Sequence, residues 1–174
     1  MDYELRQLSA LNGREEYQML QQIDRDENGF TNEVKGMSYE EYKGWLVREN
    51  DFSMARNLPQ GWIPQTTYFL YVEDKPVGIT RIRHYSSEML ESRGVGNFGY
   101  AIAKGCRGKG YGGILFSAVL EKCRELGYSK IKSFVHIGNT ASNRIFLKSG
   151  ARHIGIFHGE KNIYEVIIPG YGSA

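Results

Sequence analysis

The chain has 174 residues, 41% of them hydrophobic, and this size and composition predict a single domain over residues 1–174 with its own buried core. Lysine and arginine outnumber aspartate and glutamate by only 22 to 20, which argues against a protein that binds nucleic acid or a membrane surface. The acidic first segment is not typical of a signal peptide, and there is no run of about 18 apolar residues to span a membrane, so we expect a cytoplasmic protein.

The first part of the chain predicts two helices joined by a polar loop. Residues 3–8 alternate weakly and predict an edge strand, and residues 12–24 carry apolar side chains at helical spacing. The acid-rich segment, residues 24–36, predicts a loop. The stretch "SYEE" then predicts a second helix, because Ser38 at the N-cap and Glu41 three positions later form a capping box.

The second part predicts strands that alternate with helices. Residues 66–85 predict a hairpin with a tight turn at Asp74 and Lys75, and residues 97–103 predict the next strand. Helical spacing follows Gly110, and then come a strand, a short helix and a terminal hairpin. This order predicts an α+β fold, an α/β sandwich in which helices flank a mixed, largely antiparallel central sheet.

The segment "AKGCRGKGYGG", residues 103–113, places five glycines and three cations between a strand and a helix. The first N–H groups of a helix lack internal acceptors, and the helix dipole makes this end positive. Glycines let phosphate oxygens approach those N–H groups, where a Cβ would stand in the way. The glycine segment therefore predicts a phosphate or pyrophosphate site.

Two nucleotide-binding motifs fit the glycine segment poorly. In a P-loop, Lys and Ser or Thr follow the second glycine, but Tyr111 and Gly112 stand there. A dinucleotide-binding pattern can be placed on its glycines, but residues 129–139 contain no acid to bind the ribose. A nicotinamide-dependent enzyme is therefore a weak alternative.

A third pattern, Q/R-x-x-G-x-G/A, fits Arg107, Gly110 and Gly112. About thirty residues later, in "NTASNRIFLKSGARHIG", an Asn opens a helix and a Gly ends it. With these two signatures, residues 66–166 resemble the GNAT family of N-acetyltransferases. The resemblance implies the GNAT fold and an acetyl-CoA-dependent N-acyltransferase. Such an enzyme transfers acetyl to a primary amine, of a small molecule or a peptide, by direct attack in a ternary complex.

The resemblance also implies which residues bind acetyl-CoA. The strand of residues 97–103 would face the pantetheine, the amides of residues 108–113 would bind the pyrophosphate, and Asn139 would contact the pantetheine. A backbone N–H near Tyr100 would polarise the thioester carbonyl. The implied cofactor-binding residues are Ala101, Ile102, Ala103, Arg107, Gly108, Lys109, Gly110, Tyr111, Gly112, Gly113, Asn139 and Ser142.

The catalytic groups are marked less clearly. Many members of the family have a Tyr seven positions after the Asn, where it protonates the departing thiolate, but this chain has Phe146 there. Besides Tyr100, we predict His84 as a general base, because a histidine titrates in the right range. Glu91 is a second candidate, acting directly or through water. For both, a purely structural role is the alternative.

The charge of the acceptor is left open by the sequence. Arg81 and Arg83 share one face of their strand, so they predict a negatively charged acceptor or a second phosphate. The acids of residues 24–33 predict instead a cationic amine, with a solvated loop as the alternative.

Three further expectations concern a non-catalytic alternative, metal ions and the oligomeric state. A non-catalytic acyl-CoA-binding module is the main rival to an enzyme, and Phe146 favours it. We expect no metal, because Cys106 and Cys123 lack metal-ligand spacing and the His153–His158 pair has no third ligand. The terminal stretch "NIYEVIIPGYG" is apolar enough to pair across a homodimer.

Overall fold

The computed structural model describes residues 1–170. These contain nine strands, five α-helices and one short 3₁₀ helix, Lys104–Cys106. The strands are β1 Tyr3–Gln7, β2 Asp26–Glu27, β3 Phe30–Thr31, β4 Gln65–Val72, β5 Lys75–Arg83, β6 Phe98–Ile102, β7 Lys130–His136, β8 Arg152–Phe157 and β9 Lys161–Ile167. The helices are α1 Arg14–Gln21, α2 Tyr39–Ser53, α3 Glu88–Glu91, α4 Tyr111–Glu125 and α5 Thr140–Lys148. No helix in this part of the chain is both long and apolar enough to cross a membrane.

The strands form two sheets and a separate hairpin. The first sheet has the order β1–β4–β5–β6, the second has the order β7–β9–β8, and β2 pairs with β3. Every strand pair within residues 1–170 is antiparallel. The two sheets meet where the Asn97 N–H donates to the Lys132 carbonyl at 3.1 Å and the Lys132 N–H donates to Asn97 Oδ1 at 2.7 Å. A Cβ at Gly96 would collide with that carbonyl, so this junction requires a glycine.

Side chains alternate between the two faces of the first sheet, and each face has its own core. One core packs against α4 and α5, and the other packs against α1 and α2. The core on the α4 face includes Leu70, Ile82, Phe98, Leu115 and Phe116. The core on the α1–α2 face includes Phe69, Ile79, Ala101, Leu20 and Leu46. The position of a residue along a strand therefore decides which of the two cores its side chain joins.

The α+β fold and the predicted order of its main helices and strands are confirmed. The predicted capping box is present, since the Ser38 N–H donates to the Glu41 carboxylate at 2.7 Å and the Glu41 N–H donates to Ser38 Oγ at 3.2 Å. The acid-rich segment differs from the prediction, because it contains the hairpin β2–β3 in place of a plain loop. At the turn, Asn28 and Gly29 both have positive φ, 53° and 92°, as the two-residue turns favoured by Asn-Gly require.

The turn between β4 and β5 lies one residue earlier than predicted. Glu73 and Asp74 have positive φ, 48° and 60°, and Lys75 already belongs to β5. Pro76 has no N–H to donate, and the pairing register shifts where it faces Tyr71.

The strand that the sequence predicts at a homodimer interface lies inside a sheet. β9 pairs with β7 on one side and with β8 on the other, so the backbone of Lys161–Ile167 is not available to a second chain. The last two residues of that stretch lie outside the described residues. The homodimer itself stays a prediction.

Candidate active site

A cavity of about 250 Å³ opens where β6 and β7 part. Its walls come from β5, β6, β7 and the start of α5, and the hairpin β2–β3 lines one side. The polar and aromatic residues around it include Phe30, Arg81, Arg83, Tyr100, Asn139 and Ser142. The cavity is smaller than the pockets of about 300–1,000 Å³ that hold drug-sized ligands, so it suits a small chemical group.

Two hydroxyl groups connect the walls of this cavity. The Tyr100 hydroxyl on β6 lies 2.6 Å from Ser142 Oγ in the first turn of α5. Burial raises the pKa of Tyr100, so its hydroxyl stays protonated near neutral pH. Asn139 Oδ1 accepts the Ser142 N–H at 3.2 Å, and this cap fixes the start of α5 beside the cavity.

The backbone of β6 turns N–H groups toward the gap. The Ala103 N–H donates to the Val77 carbonyl at 3.0 Å, so residue 103 bonds toward β5. Since N–H groups alternate in direction along an antiparallel strand, those of Tyr100 and Ile102 point the other way, toward the edge that β7 has left. N–H groups at such an edge can hydrogen-bond a carbonyl oxygen.

The glycine segment leads from β6 into α4. Gly110 is the N-cap residue of α4 with φ +83°, and Gly108 has φ +75°, values that glycine adopts without strain. Ser38 caps α2 and Asn139 caps α5 by side-chain hydrogen bonds, but no side chain within residues 1–170 caps α4. The first two N–H groups of α4, those of Tyr111 and Gly112, are therefore open to an anion.

Residues 17–151 match the profile of the Acetyltransferase (GNAT) family. The chain belongs to this family. The predicted family and the predicted class, an acetyl-CoA-dependent N-acyltransferase, are thereby confirmed. No curated protein matches the chain in sequence.

Solved acetyltransferase structures share the fold. RimL, an α-N-protein acetyltransferase of a ribosomal protein solved with coenzyme A, is 15% identical, with a TM-score of 0.70 over 95% of this chain and 94% of its own. A GNAT acetyltransferase of Streptococcus pneumoniae is 18% identical, with a TM-score of 0.62 over 97% and 100%. The N-acetyltransferase PseH of Campylobacter jejuni, solved with acetyl coenzyme A, is 10% identical, with a TM-score of 0.63 over 97% and 100%. At these identities the likeness shows the GNAT fold.

Two of the three cations in the glycine segment of this GNAT protein are paired with acids. Arg107 Nη2 lies 3.0 Å from Glu27 Oε1, and Lys104 Nζ binds Asp24 at 2.8 Å. These pairs attach the acid-rich segment to the end of β6. Its carboxylates thus hold the glycine segment in place, which weakens their candidacy as binders of a cationic amine. Lys109 is exposed.

Neither predicted base lines the cavity. His84 Nε2 lies 2.7 Å from Thr66 Oγ1, and burial lowers the pKa of its ring. Glu91 in α3 accepts a hydrogen bond from Lys132 Nζ at 2.8 Å. Their role as bases stays a prediction, while the third predicted catalytic residue, Tyr100, lies at the cavity.

Phe146 belongs to a cluster of aromatic rings. It is 1% exposed, its ring stacks on Tyr164 with centroids 5.0 Å apart, and it meets Phe116 edge-on at 4.8 Å. The position where many relatives have a Tyr is therefore occupied by a core side chain, and its phenyl ring has no proton to donate to a leaving group.

Sequence reasoning missed several parts of the cavity wall, among them Phe30 and Lys161. Phe30 packs against Arg81, whose Cζ lies 4.6 Å from the ring centroid. The Asn28–Gly29 pair was the signal that could have located the hairpin carrying Phe30. Lys161 opens β9 and carries no local signal, because only tertiary pairing brings it to the cavity.

Proposed function

We propose that this enzyme transfers the acetyl group of acetyl-CoA to a primary amine by direct attack in a ternary complex. The observation that carries the proposal is the gap between β6 and β7, with a cavity at its mouth. β6 lines this cavity and leads directly into the glycine segment, so a pantetheine arm along β6 connects an acetyl group in the cavity with a pyrophosphate at α4.

The residues divide the work along this path. The amides from Gly108 to Gly112 bind the pyrophosphate, as the open N-terminus of α4 favours. The Gly113 N–H, also implied by the resemblance, already donates to the Gly110 carbonyl at 3.1 Å. The N–H groups of Tyr100 and Ile102 donate to the thioester carbonyl oxygen, where negative charge develops. Ser142 and Asn139 line the route of the pantetheine from the other wall.

The reaction exchanges one bond for another. The amine, after losing a proton to solvent or a base, attacks the thioester carbonyl carbon with its lone pair. A C–N bond forms, the C–S bond breaks, and coenzyme A leaves as a thiolate that takes up one proton. We assign that proton to the Tyr100 hydroxyl, which is protonated near neutral pH, reaches the cavity and is hydrogen-bonded to Ser142.

Changing Tyr100 to Phe should lower kcat about 10- to 100-fold and leave the Kd for acetyl-CoA unchanged, because the ring stays and only the proton donor goes. Steady-state kinetics measures kcat, and calorimetry measures the Kd. Tyr164→Phe is the matched control, since it removes another buried hydroxyl, one that bonds Asn143 and does not line the cavity. Equal kcat values for the two variants would contradict the assignment of Tyr100 as the general acid.

A thermal shift experiment tests the proposed function as a whole. Acetyl-CoA at about 100 times its Kd should stabilise the fold by about 2.7 kcal/mol, which raises Tm by several degrees at about 2–4 °C per kcal/mol. NADH and ATP at the same concentration should give no shift. Thiol release over a panel of amines then tests turnover. Without a shift from acetyl-CoA the proposal fails, and binding without turnover on any amine would identify a non-catalytic acyl-CoA-binding module.

A further inference from the structure

Three cations surround the cavity at the gap, and their hydrogen bonds within residues 1–170 all go to neutral carbonyls. Arg81 and Arg83 come from β5, and Lys161 comes from the start of β9. The bonds are Arg81 Nη2 to Thr31 O at 2.7 Å, Arg83 Nη1 to Gly96 O at 2.9 Å and Lys161 Nζ to Gly94 O at 3.3 Å. A guanidinium has five N–H donors, so most of the donors remain for another partner.

No carboxylate of the described residues lies at ion-pair distance from any of these three cations. The one carboxylate that lines the cavity, Glu27, is paired with Arg107. The buried Nε of Arg81 also has no hydrogen-bond partner within residues 1–170. The carboxylates of Glu49 and Glu33 attract Arg81 from a longer distance, but both are ion-paired with Arg48. The residues that line the cavity therefore carry an excess of positive charge, in a place where burial lowers the pKa of both arginines and a counter-charge would be favourable.

The two arginines lie on the opposite face of the sheet from α4. Ile82, between them, belongs to the core that packs against α4, so the side chains of Arg81 and Arg83 point to the other face. Arg81 is paired in register with Gly99 of β6. Phe30 of the hairpin packs on this same face, next to Gly99. The pyrophosphate site proposed at α4 is thus on the other side of the sheet from the arginines. The two arginines are therefore placed to bind the acceptor and not the pyrophosphate.

We propose that the acceptor is an amino-carboxylate, whose carboxylate is bound by Arg81 and Arg83 while its amine is acetylated in the same cavity. Arginine forks match a carboxylate with paired hydrogen bonds, and Lys161 adds a third positive charge. The small cavity fits an acceptor of amino-acid size. This inference rests on the proposed function and names its substrate class.

The experiment compares each of the common amino acids with its α-carboxamide and with the corresponding decarboxylated amine. Thiol release measures kcat/KM, and calorimetry measures binding of the amino acid to protein loaded with coenzyme A. The free amino acid that reacts best should exceed its carboxamide by at least about tenfold in kcat/KM, because the amide loses the charge-assisted hydrogen bonds. Equal turnover of acid and amide would overturn the inference, and so would absence of amino-acid binding to the loaded protein.

Variants assign the effect to the arginines. Arg83→Gln and Arg81→Gln should each raise KM for the amino acid at least about tenfold and leave the Tm shift with acetyl-CoA intact. Arg83→Lys keeps the charge without the fork and should recover part of the loss. The control is Arg152→Gln on exposed β8, where the arginine is ion-paired with Glu165. If both glutamine variants bind acetyl-CoA and keep the parental KM, the arginines only hold the hairpin β2–β3 on the sheet.

Failure of this inference differs from failure of the proposed function. A protein that does not bind acetyl-CoA contradicts the proposed function. A protein that binds acetyl-CoA and acetylates neutral amines as well as amino-carboxylates contradicts only the assignment of the acceptor.

Discussion

Replacing Phe146 with alanine should destabilise the protein by about 3–5 kcal/mol, the range typical of large-to-small changes at a buried aromatic residue. Phe146 is almost fully buried, at 1% exposure, and contacts the rings of Phe98, Phe116 and Tyr164. These rings come from β6, α4 and β9, so one side chain joins elements of both sheets on either side of the gap. The loss corresponds to a fall in Tm of about 6–20 °C at about 2–4 °C per kcal/mol.

Leu147→Ala provides the control for this prediction. Leu147 is the next residue of α5 and is 58% exposed, so its replacement should change the stability by no more than about 0.5 kcal/mol. Both variants introduce alanine at neighbouring positions of α5, and alanine has the highest helix propensity. A difference between them in thermal unfolding therefore reports the lost packing. If Phe146→Ala loses no more stability than Leu147→Ala, the aromatic cluster does not hold the two sheets together.

The parts of the site that the sequence predicts are those in which local pattern and chemistry coincide. The glycine segment is read from consecutive residues, and positive φ at Gly108 and Gly110 agrees with its composition. Asn139 is likewise predicted as a helix opener, and its side chain caps α5. Helical spacing after Gly110 likewise predicts the helix α4.

The parts that the sequence leaves open depend on contacts between distant segments. Arg81 is equally compatible with an acceptor or a phosphate until its strand pairs with β6 and its face is known. Glu27 reads as one acid among several until Arg107 is found 3.0 Å away. His84 fits a base by its titration range alone, but its position beside Thr66 is set by tertiary packing.

The backbone N–H groups proposed to bind the thioester carbonyl also could not be predicted from the sequence. Every residue type except proline can supply a backbone N–H group, so the residue types at positions 100 and 102 do not indicate that role. The direction of these groups follows only from the ladder between β5 and β6, and their freedom follows from the parting of β7. A gap between strands is therefore visible in the pairing pattern and invisible in composition.

Replacing Gly110 with alanine should raise the Kd for acetyl-CoA at least about tenfold, since hydrogen bonds to a charged group contribute about 1.5–3 kcal/mol each and about 1.4 kcal/mol corresponds to a factor of ten. Gly110 has φ +83°, and a Cβ there would stand in open space beside the first amides of α4. The left-handed backbone also costs alanine about 1–2 kcal/mol of stability.

Gly127→Ala separates the two effects, because Gly127 follows the other end of α4 with φ +85° and its Cβ would also meet nothing within 4 Å. Both variants should lose a similar amount of stability in thermal unfolding without ligand. Only Gly110→Ala should also lose affinity in calorimetry with acetyl-CoA. Equal affinities in the two variants would mean that the pyrophosphate does not lie on the N-terminus of α4. A loss of affinity confined to Gly110→Ala would place the ligand where the glycines leave room for it.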